Sequence, residues 1–283
     1  MAKKGVIRVA TCQFAVGSNV GRNGAQIRRQ ITQAGRKRVD IVHFSECALS
    51  GYAGVEFKAW DGFDWELLKA ETLSIRDLAR QKKLWVVLGS VHRLGGKHLP
   101  HNCLYVIDPR GKMVERYDKR FCTTGDLKYS SPGDHCSIFE VNGVKCGLLI
   151  CYDVRFPELY RAYRRLGAQC MFHSFYNARA DGPGIHTVIM RSSLQCRAAT
   201  NYMWISGNNS SGHYQTWPSV MVQPDGRIIA QLQRNRAGVM VNAVDTNREF
   251  YDASAPYRDR SMRGVLHSGT TVTDPRSKDR TCL

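Results

Sequence analysis

The sequence predicts an α/β protein in which two mixed β-sheets pack face to face with helices outside. Three observations lead there. Short apolar runs alternate with longer stretches of helical periodicity in both halves of the chain, as parallel strands joined by crossover helices do. Turn signals at Pro109-Arg110-Gly111-Lys112 and Asn142-Gly143 interleave hairpins with that alternation, so some strand pairs are antiparallel. No internal repeat or low-complexity linker separates the halves, so residues 1–245 read as one domain and 246–283 as an extended tail.

Val6 to Ala15 alternates apolar and polar residues as a first strand, and Asn19 to Gly35 carries a helical pattern. Asp40 to Phe44 is a second strand, ending at Ser45-Glu46-Cys47. Trp65 to Lys83 is a long amphipathic helix with Leu67, Leu68, Leu73, Ile75, Leu78 and Ala79 as its apolar members. Leu84 to Val91, Cys103 to Asp108 and Met113 to Tyr117 are strands, the last two a hairpin. Ser137 to Val141 and Val144 to Ile150 form another hairpin, followed by a helix over Pro157 to Leu166, a strand over Gln169 to His173 and a helix over Gly184 to Asn201. Met203 to Gly207, Pro218 to Gln223, Ile228 to Leu232 and Gly238 to Val244 complete the strands. Beyond Asp245 the chain is polar and irregular, and as a tail it gains order by packing on a partner subunit.

A chain of 283 residues with 43% hydrophobic and 23% charged content can bury a sizeable core. It has no run of about twenty apolar residues, which excludes a membrane span, and its N-terminus lacks a signal-peptide core. Ten scattered cysteines without that signal read as free thiols, so a cytoplasmic location is expected. No spacing suggests a metal site, and the chemistry below needs no cofactor. The net charge of +17 suggests anionic partners. Its densest runs, Arg28-Arg29, Arg36-Lys37-Arg38 and Arg161 to Arg165, fall on or just past polar helix faces and read as solvated surface. A nucleic-acid partner is therefore not the expectation.

Three strand ends carry reactive side chains. Cys151 closes the run Val144 to Ile150 on the tight turn into the next helix, where helix-terminal N–H groups favour a thiolate. Glu46 ends the second strand, and Lys119 follows Arg116-Tyr117-Asp118. Each alone has an ordinary reading: a buried strand cysteine, a strand-end carboxylate, a surface lysine. Together at strand ends they can meet in one crevice at the carboxyl edge of a sheet.

With these residues in place the chain resembles the carbon–nitrogen hydrolase, or nitrilase, superfamily, in its amidase-like branch. The Glu–Lys–Cys triad of that family maps onto Phe44-Ser45-Glu46, Tyr117-Asp118-Lys119 and Ile150-Cys151-Tyr152-Asp153. The most specific match is Gly147-Leu-Leu-Ile-Cys-Tyr-Asp-Val-Arg-Phe-Pro-Glu158, and Ser131-Pro-Gly133, Arg197-Ala198, Asn208 to Gly212, Ser219 and Pro224-Asp-Gly226 add to it. The resemblance implies a four-layer αββα sandwich, a homodimer or higher homo-oligomer formed through helices beside the nucleophile, and tails that reach across it. It also implies a thiol hydrolase that cleaves a small linear amide through a thioester and releases ammonia. Cys151 is then the nucleophile, Glu46 the proton carrier, Lys119 the cation near the oxyanion, and the Tyr152 backbone N–H a second oxyanion donor.

Two positions depart from the family. Its second glutamate falls on Asp126, one methylene shorter, and Thr200 precedes Asn201 where Glu is usual. Tyr152-Asp153 after the cysteine favours amide over nitrile, whose hydrolases usually carry Trp-Glu there. Arg155 either binds a substrate carboxylate, which suits an N-carbamoyl substrate as an alternative, or pairs with Asp153 or Glu158. Tyr52, Trp60, Phe175 and Tyr176 are candidate pocket walls, and Arg179 and Asp181 candidates for its mouth. A second alternative is a basic binding protein that keeps this fold with weak catalysis.

Overall fold

The computed structural model describes residues 3–177, 184–213 and 215–281. Two six-stranded sheets form its centre. The first contains β1 (Val6–Gln13), β2 (Ile41–Phe44), β3 (Trp85–His92), β4 (His101–Ile107), β5 (Met113–Asp118) and β12 (Gly238–Asp245), in the order β12-β1-β2-β3-β4-β5. The second contains β6 (Ile138–Val141), β7 (Val144–Ile150), β8 (Cys170–Ser174), β9 (Trp204–Asn208), β10 (Val220–Val222) and β11 (Ile228–Gln231), in the order β11-β10-β9-β8-β7-β6. In each sheet three adjacent strands run parallel, β1-β2-β3 and β7-β8-β9, and the outer pairs are antiparallel. The sheets are mixed, as the interleaved hairpins require.

The helices are α1 (Val20–Gly35), α2 (Trp65–Lys82), α3 (Pro157–Arg165) and α4 (Ile185–Asn201), with short α5 (Arg258–Met262) and α6 (Pro275–Lys278) near the end. Asn19 caps α1 by accepting from Arg22 N, and Asp64 caps α2 by accepting from Leu67 N. Lys83 ends α2 in the left-handed conformation, and Pro157 opens α3 at the first turn. One stripe of α1, from Val20 through Ile27 and Ile31 to Ala34, is buried at helical spacing.

Period-two alternation sorts the strand residues between layers. Ile7, Val9, Ile41 and Val87 belong to the core that also holds the second sheet, α3 and α4. Ala10, Cys12, Val42, Phe44, Val86 and Leu88 pack instead with α1 and α2. The layers are thus helices, sheet, sheet, helices, the αββα sandwich. A polar seam crosses the buried middle: His43 bonds to Ser206 and Ser174 through its two ring nitrogens at 2.9 and 2.8 Å, and Thr11 meets Ser206 at 2.9 Å. Burial pushes the His43 pKa down to about 3, so the ring is neutral.

The extended tail expected after Asp245 contains α5 and α6, and its first part lies against its own chain. Arg258 is buried, donating to Thr200 O at 3.0 Å and pairing with Asp252, while Phe250 N donates to the Tyr202 hydroxyl at 2.9 Å. Arg165 also reaches the Met262 carbonyl. No described helix is long and apolar enough to cross a membrane.

Candidate active site

Glu46, Lys119 and Cys151 follow the carboxyl ends of β2, β5 and β7. Two of these turns hold a non-glycine residue in the left-handed region: Cys47 at φ 50° and Cys151 itself at φ 44°. Such a conformation is costly for a residue with a Cβ and persists only where the surrounding structure holds it. The approach of β3 to the Glu46 turn requires Gly89, because a Cβ there would overlap the Ser45 carbonyl oxygen. Gly133 plays the same part beside the Lys119 turn: a Cβ would overlap Asp118 O, and its N–H donates to Lys119 O at 2.8 Å.

Lys119 has no exposed surface, and neither does Glu46. The Lys119 ammonium donates to Glu46 Oε1 and to Asp126 Oδ2, each at 2.8 Å. Glu46 is fully engaged. Its Oε1 also accepts from Asn102 Nδ2 at 2.8 Å, and its Oε2 accepts from Tyr176 N at 2.8 Å. Asp126 accepts from the Tyr52 hydroxyl at 2.6 Å and from Thr123 N at 3.0 Å. Burial alone would lower the Lys119 pKa, but Glu46 and its other neighbours hold it well above the usual lysine range. Burial likewise works to raise Asp126, and the Lys119 charge with its hydrogen bonds overrides it, so this carboxyl sits below its ordinary value.

The Cys151 thiol feels the same cluster. Burial and the Glu46 charge push its pKa up, Asp126 adds to that, and Lys119 and the Tyr176 N–H oppose it. The Tyr176 N–H therefore faces both the thiol and Glu46. Burial, the largest effect, outweighs the nearby cation, so the thiol is held above its ordinary value and not favoured as the thiolate that its place at a helix start suggests. The residue as a whole is half-buried, within reach of a small molecule.

Asp153, two residues after the cysteine, ties the nucleophile turn to the lysine turn. It is buried and accepts from Ile150 N at 2.9 Å, Phe121 N at 2.9 Å and the Tyr117 hydroxyl at 2.8 Å. Burial raises its pKa from 3.8 to about 6 despite these donors.

The sequence-predicted residues divide. Glu46, Lys119, Cys151, Asp126, Tyr52 and Tyr176 come together, with the Tyr52 and Tyr176 rings stacked at 4.7 Å and Lys119 5.9 Å from the Tyr52 ring centre. Phe175 does not line an open wall. It is fully buried behind the site, stacked on His173 at 4.1 Å and edge-on to Trp217, because its backbone continues the β8 edge. Trp60 belongs to an aromatic cluster with Phe57, Phe63 and Trp65, its indole N–H donating to Tyr129 O at 2.7 Å. Arg155 pairs with neither Asp153, whose oxygens are taken, nor Glu158; its Nη2 lies 3.1 Å from His186 Nδ1 at the start of α4. The Tyr152 side chain is 38% exposed and edge-on to Phe156. Arg179 and Asp181 lie outside the described residues. Asn102, Thr123 and Tyr117 were missed. Their only trace in the sequence is a polar group on a strand otherwise facing the core, or a hydroxyl three residues before the 126 carboxylate. Among the described residues no group of three or more metal-ligating side chains is gathered.

The arrangement finds its counterpart among known proteins. The carbon–nitrogen hydrolase family model matches residues 8–249. A protein described as a hydrolase in the agr operon of Staphylococcus lugdunensis is 30% identical over 238 residues, 78% of this chain and 97% of that one. An omega-amidase of Homo sapiens is 27% identical over 260 residues, covering 85% of this chain and 89% of that one. The crystal structure of an amidase from Nesterenkonia sp. has the same fold, with a TM-score of 0.77 at 21% identity over 94% of this chain and 98% of that one. With the family model spanning most of its length and the sandwich common to both, the chain belongs to the carbon–nitrogen hydrolase family.

Proposed function

We propose that this carbon–nitrogen hydrolase cleaves a small linear amide, releasing ammonia through a thioester on Cys151. The observation that carries the reading is the dry ammonium of Lys119, bound at 2.8 Å by both Glu46 and Asp126, in electrostatic contact with a strained, half-buried thiol.

Because the thiol rests protonated, attack and proton loss are coupled. Cys151 Sγ forms a bond to the amide carbon while its proton passes to Glu46. The carbonyl π electrons move to oxygen, and the negative charge is met by the Lys119 ammonium and the Tyr152 backbone N–H. Collapse breaks the C–N bond, the Glu46 proton leaves with the nitrogen as ammonia, and the acyl group stays on sulfur. Glu46 then takes a proton from a water molecule as that water attacks the thioester carbon. Collapse breaks the C–S bond, Glu46 returns the proton to the departing sulfur, and the carboxylic acid is released with the thiol restored. Asn102 and Tyr176 N hold Glu46 for both transfers. Asp126, with Tyr52 and Thr123 behind it, holds Lys119. The omega-amidase among the relatives supports an ω-amide as the substrate class.

Ammonia release from a panel of ω-amides, N-carbamoyl amino acids and nitriles tests this, with Cys151→Ala as the blank. Turnover of amides alone is expected. Carbon dioxide formed alongside ammonia would assign N-carbamoyl compounds instead, and turnover by the Cys151→Ala protein would end the assignment.

A further inference from the structure

Much of the +17 charge is unused by the chemistry above, and the fold gathers it at the sheet edge opposite the active site. The parallel strands begin at that edge, so each crossover helix returns its C-terminus there. Arg36, Lys37 and Arg38 follow α1, and Lys82 and Lys83 end α2; all five are exposed. The clusters adjoin, since Lys82 Cδ lies 3.6 Å from where a Cβ on Gly35 would be. The β6–β7 turn carries the surface on: Arg8 donates to Lys37 O at 3.2 Å, and the Lys4 side chain packs over Gly143. Beyond it lies a cleft of about 740 Å³ lined by Lys145, Arg164, Arg165 and Arg263, with Glu140 and Asp259 as its acids. Asp40, in the middle of this edge, is already taken by the Arg8 N–H and the Asn142 amide.

Cations at helix C-termini are ordinary, and one per helix complements the dipole. Here α1 is followed by three consecutive ones, and the end of α3 contributes its pair to a cleft shared with another segment. We infer that this edge is a docking surface for the phosphate backbone of double-stranded nucleic acid, bound without sequence preference. Arginine forks suit phosphate oxygens, and a row of cations from the α1 end to the cleft suits a linear polyanion. The exposed apolar side chains near the cations include Leu166, at 48%, and Tyr257 and Leu266 on the segment that carries Arg263. A membrane-binding surface presents a face of aliphatic and aromatic wedges, and a protein interface presents an apolar core. Among the described residues no aromatic side chain lines the cleft, so nothing there stacks on bases.

Fluorescence anisotropy with a labelled mixed-sequence DNA duplex of roughly 20 base pairs tests the inference. The wild-type protein is expected to bind with Kd of about 1–100 μM or tighter at low salt and to weaken steeply as salt rises. Two triple variants, Arg36→Gln/Lys37→Gln/Arg38→Gln and Lys145→Gln/Arg164→Gln/Arg165→Gln, should each raise Kd about tenfold or more and lower the log–log salt slope by about 2–3. A triple of equal charge change at the opposite edge, Lys97→Gln/Arg234→Gln/Arg236→Gln, should change Kd by less than about twofold. Thermal unfolding checks each fold; should a triple unfold early, Lys37→Gln and Lys145→Gln singly must still weaken binding. Absence of duplex binding, equal loss in the opposite-edge triple, or capture by phosphatidylserine vesicles without duplex binding would overturn the inference.

Discussion

An ammonium with no exposed surface survives at position 119 because two carboxylates reach it. Removing it in Lys119→Met leaves Glu46 and Asp126 as uncompensated neighbours in a dry recess. Breaking such a buried pair costs about 3–5 kcal/mol, so denaturant unfolding should show a loss of that order, partly recovered in Lys119→Met/Asp126→Asn. Unchanged stability would mean that the ion cluster is open to solvent. The meeting of Glu46, Lys119 and Cys151 was legible in the sequence because three reactive side chain types end three strands. Its supports were not: Asn102 and Tyr117 read as strand residues, and only coordinates place their polar atoms on Glu46 and Asp153.

Asp153 carries a pH signature. Folding raises its pKa from 3.8 to about 6, so the folded state binds an extra proton between those values. Its contribution to stability is therefore greatest below the unfolded pKa and is lost as pH rises through about 6, by roughly 3 kcal/mol in all. Asp153→Asn removes the titration. The stability of wild type relative to Asp153→Asn should fall between pH 4 and 7, as followed by paired denaturant titrations. A pH-independent difference would show that Asp153 keeps an ordinary carboxylate pKa.

At the scale of elements, strand ends and the turns after them decide the chemistry. Nearly every helix and strand was legible, since apolar period, caps at Asn19 and Asp64 and the turns at Gly111 and Gly143 agree with one another. Boundaries moved by one or two residues: β4 begins at His101 because His101 and Asn102 pair with His92 and Val91 of β3 ahead of the apolar run. The left-handed residues at 47 and 151 were illegible, because a cysteine gives no sign of positive φ. At 151 this conformation makes a prediction. Glycine adopts it without the Cβ penalty, so Cys151→Gly should be more stable than Cys151→Ala by about 1 kcal/mol while both are inactive. A glycine variant less stable than the alanine variant would mean that φ at 151 relaxes when the side chain is cut. Pocket walls were the other failure: Phe175 and Trp60 are aromatic, but one is core and the other anchors a loop cluster.

Across the whole molecule, the two edges of one sandwich differ in chemistry. The carboxyl ends of the parallel strands bring a sulfur, an ammonium and two carboxylates into one recess. The amino ends, with the helix C-termini, collect cations whose runs in the sequence read as separate solvated faces. Their convergence depends on topology, which places residues 36–38, 82–83 and 145 at one end of the strands, and no local pattern encodes it.

The central claim is covalent: during turnover an acyl group resides on the Cys151 sulfur. Acid quenching in the steady state with a substrate amide, followed by intact-mass measurement and peptide mapping, tests it most directly. The expected result is an adduct equal to the amide minus ammonia, on the peptide containing Cys151 and absent from Cys151→Ala. An adduct on any other residue, or turnover by Cys151→Ala, would contradict it.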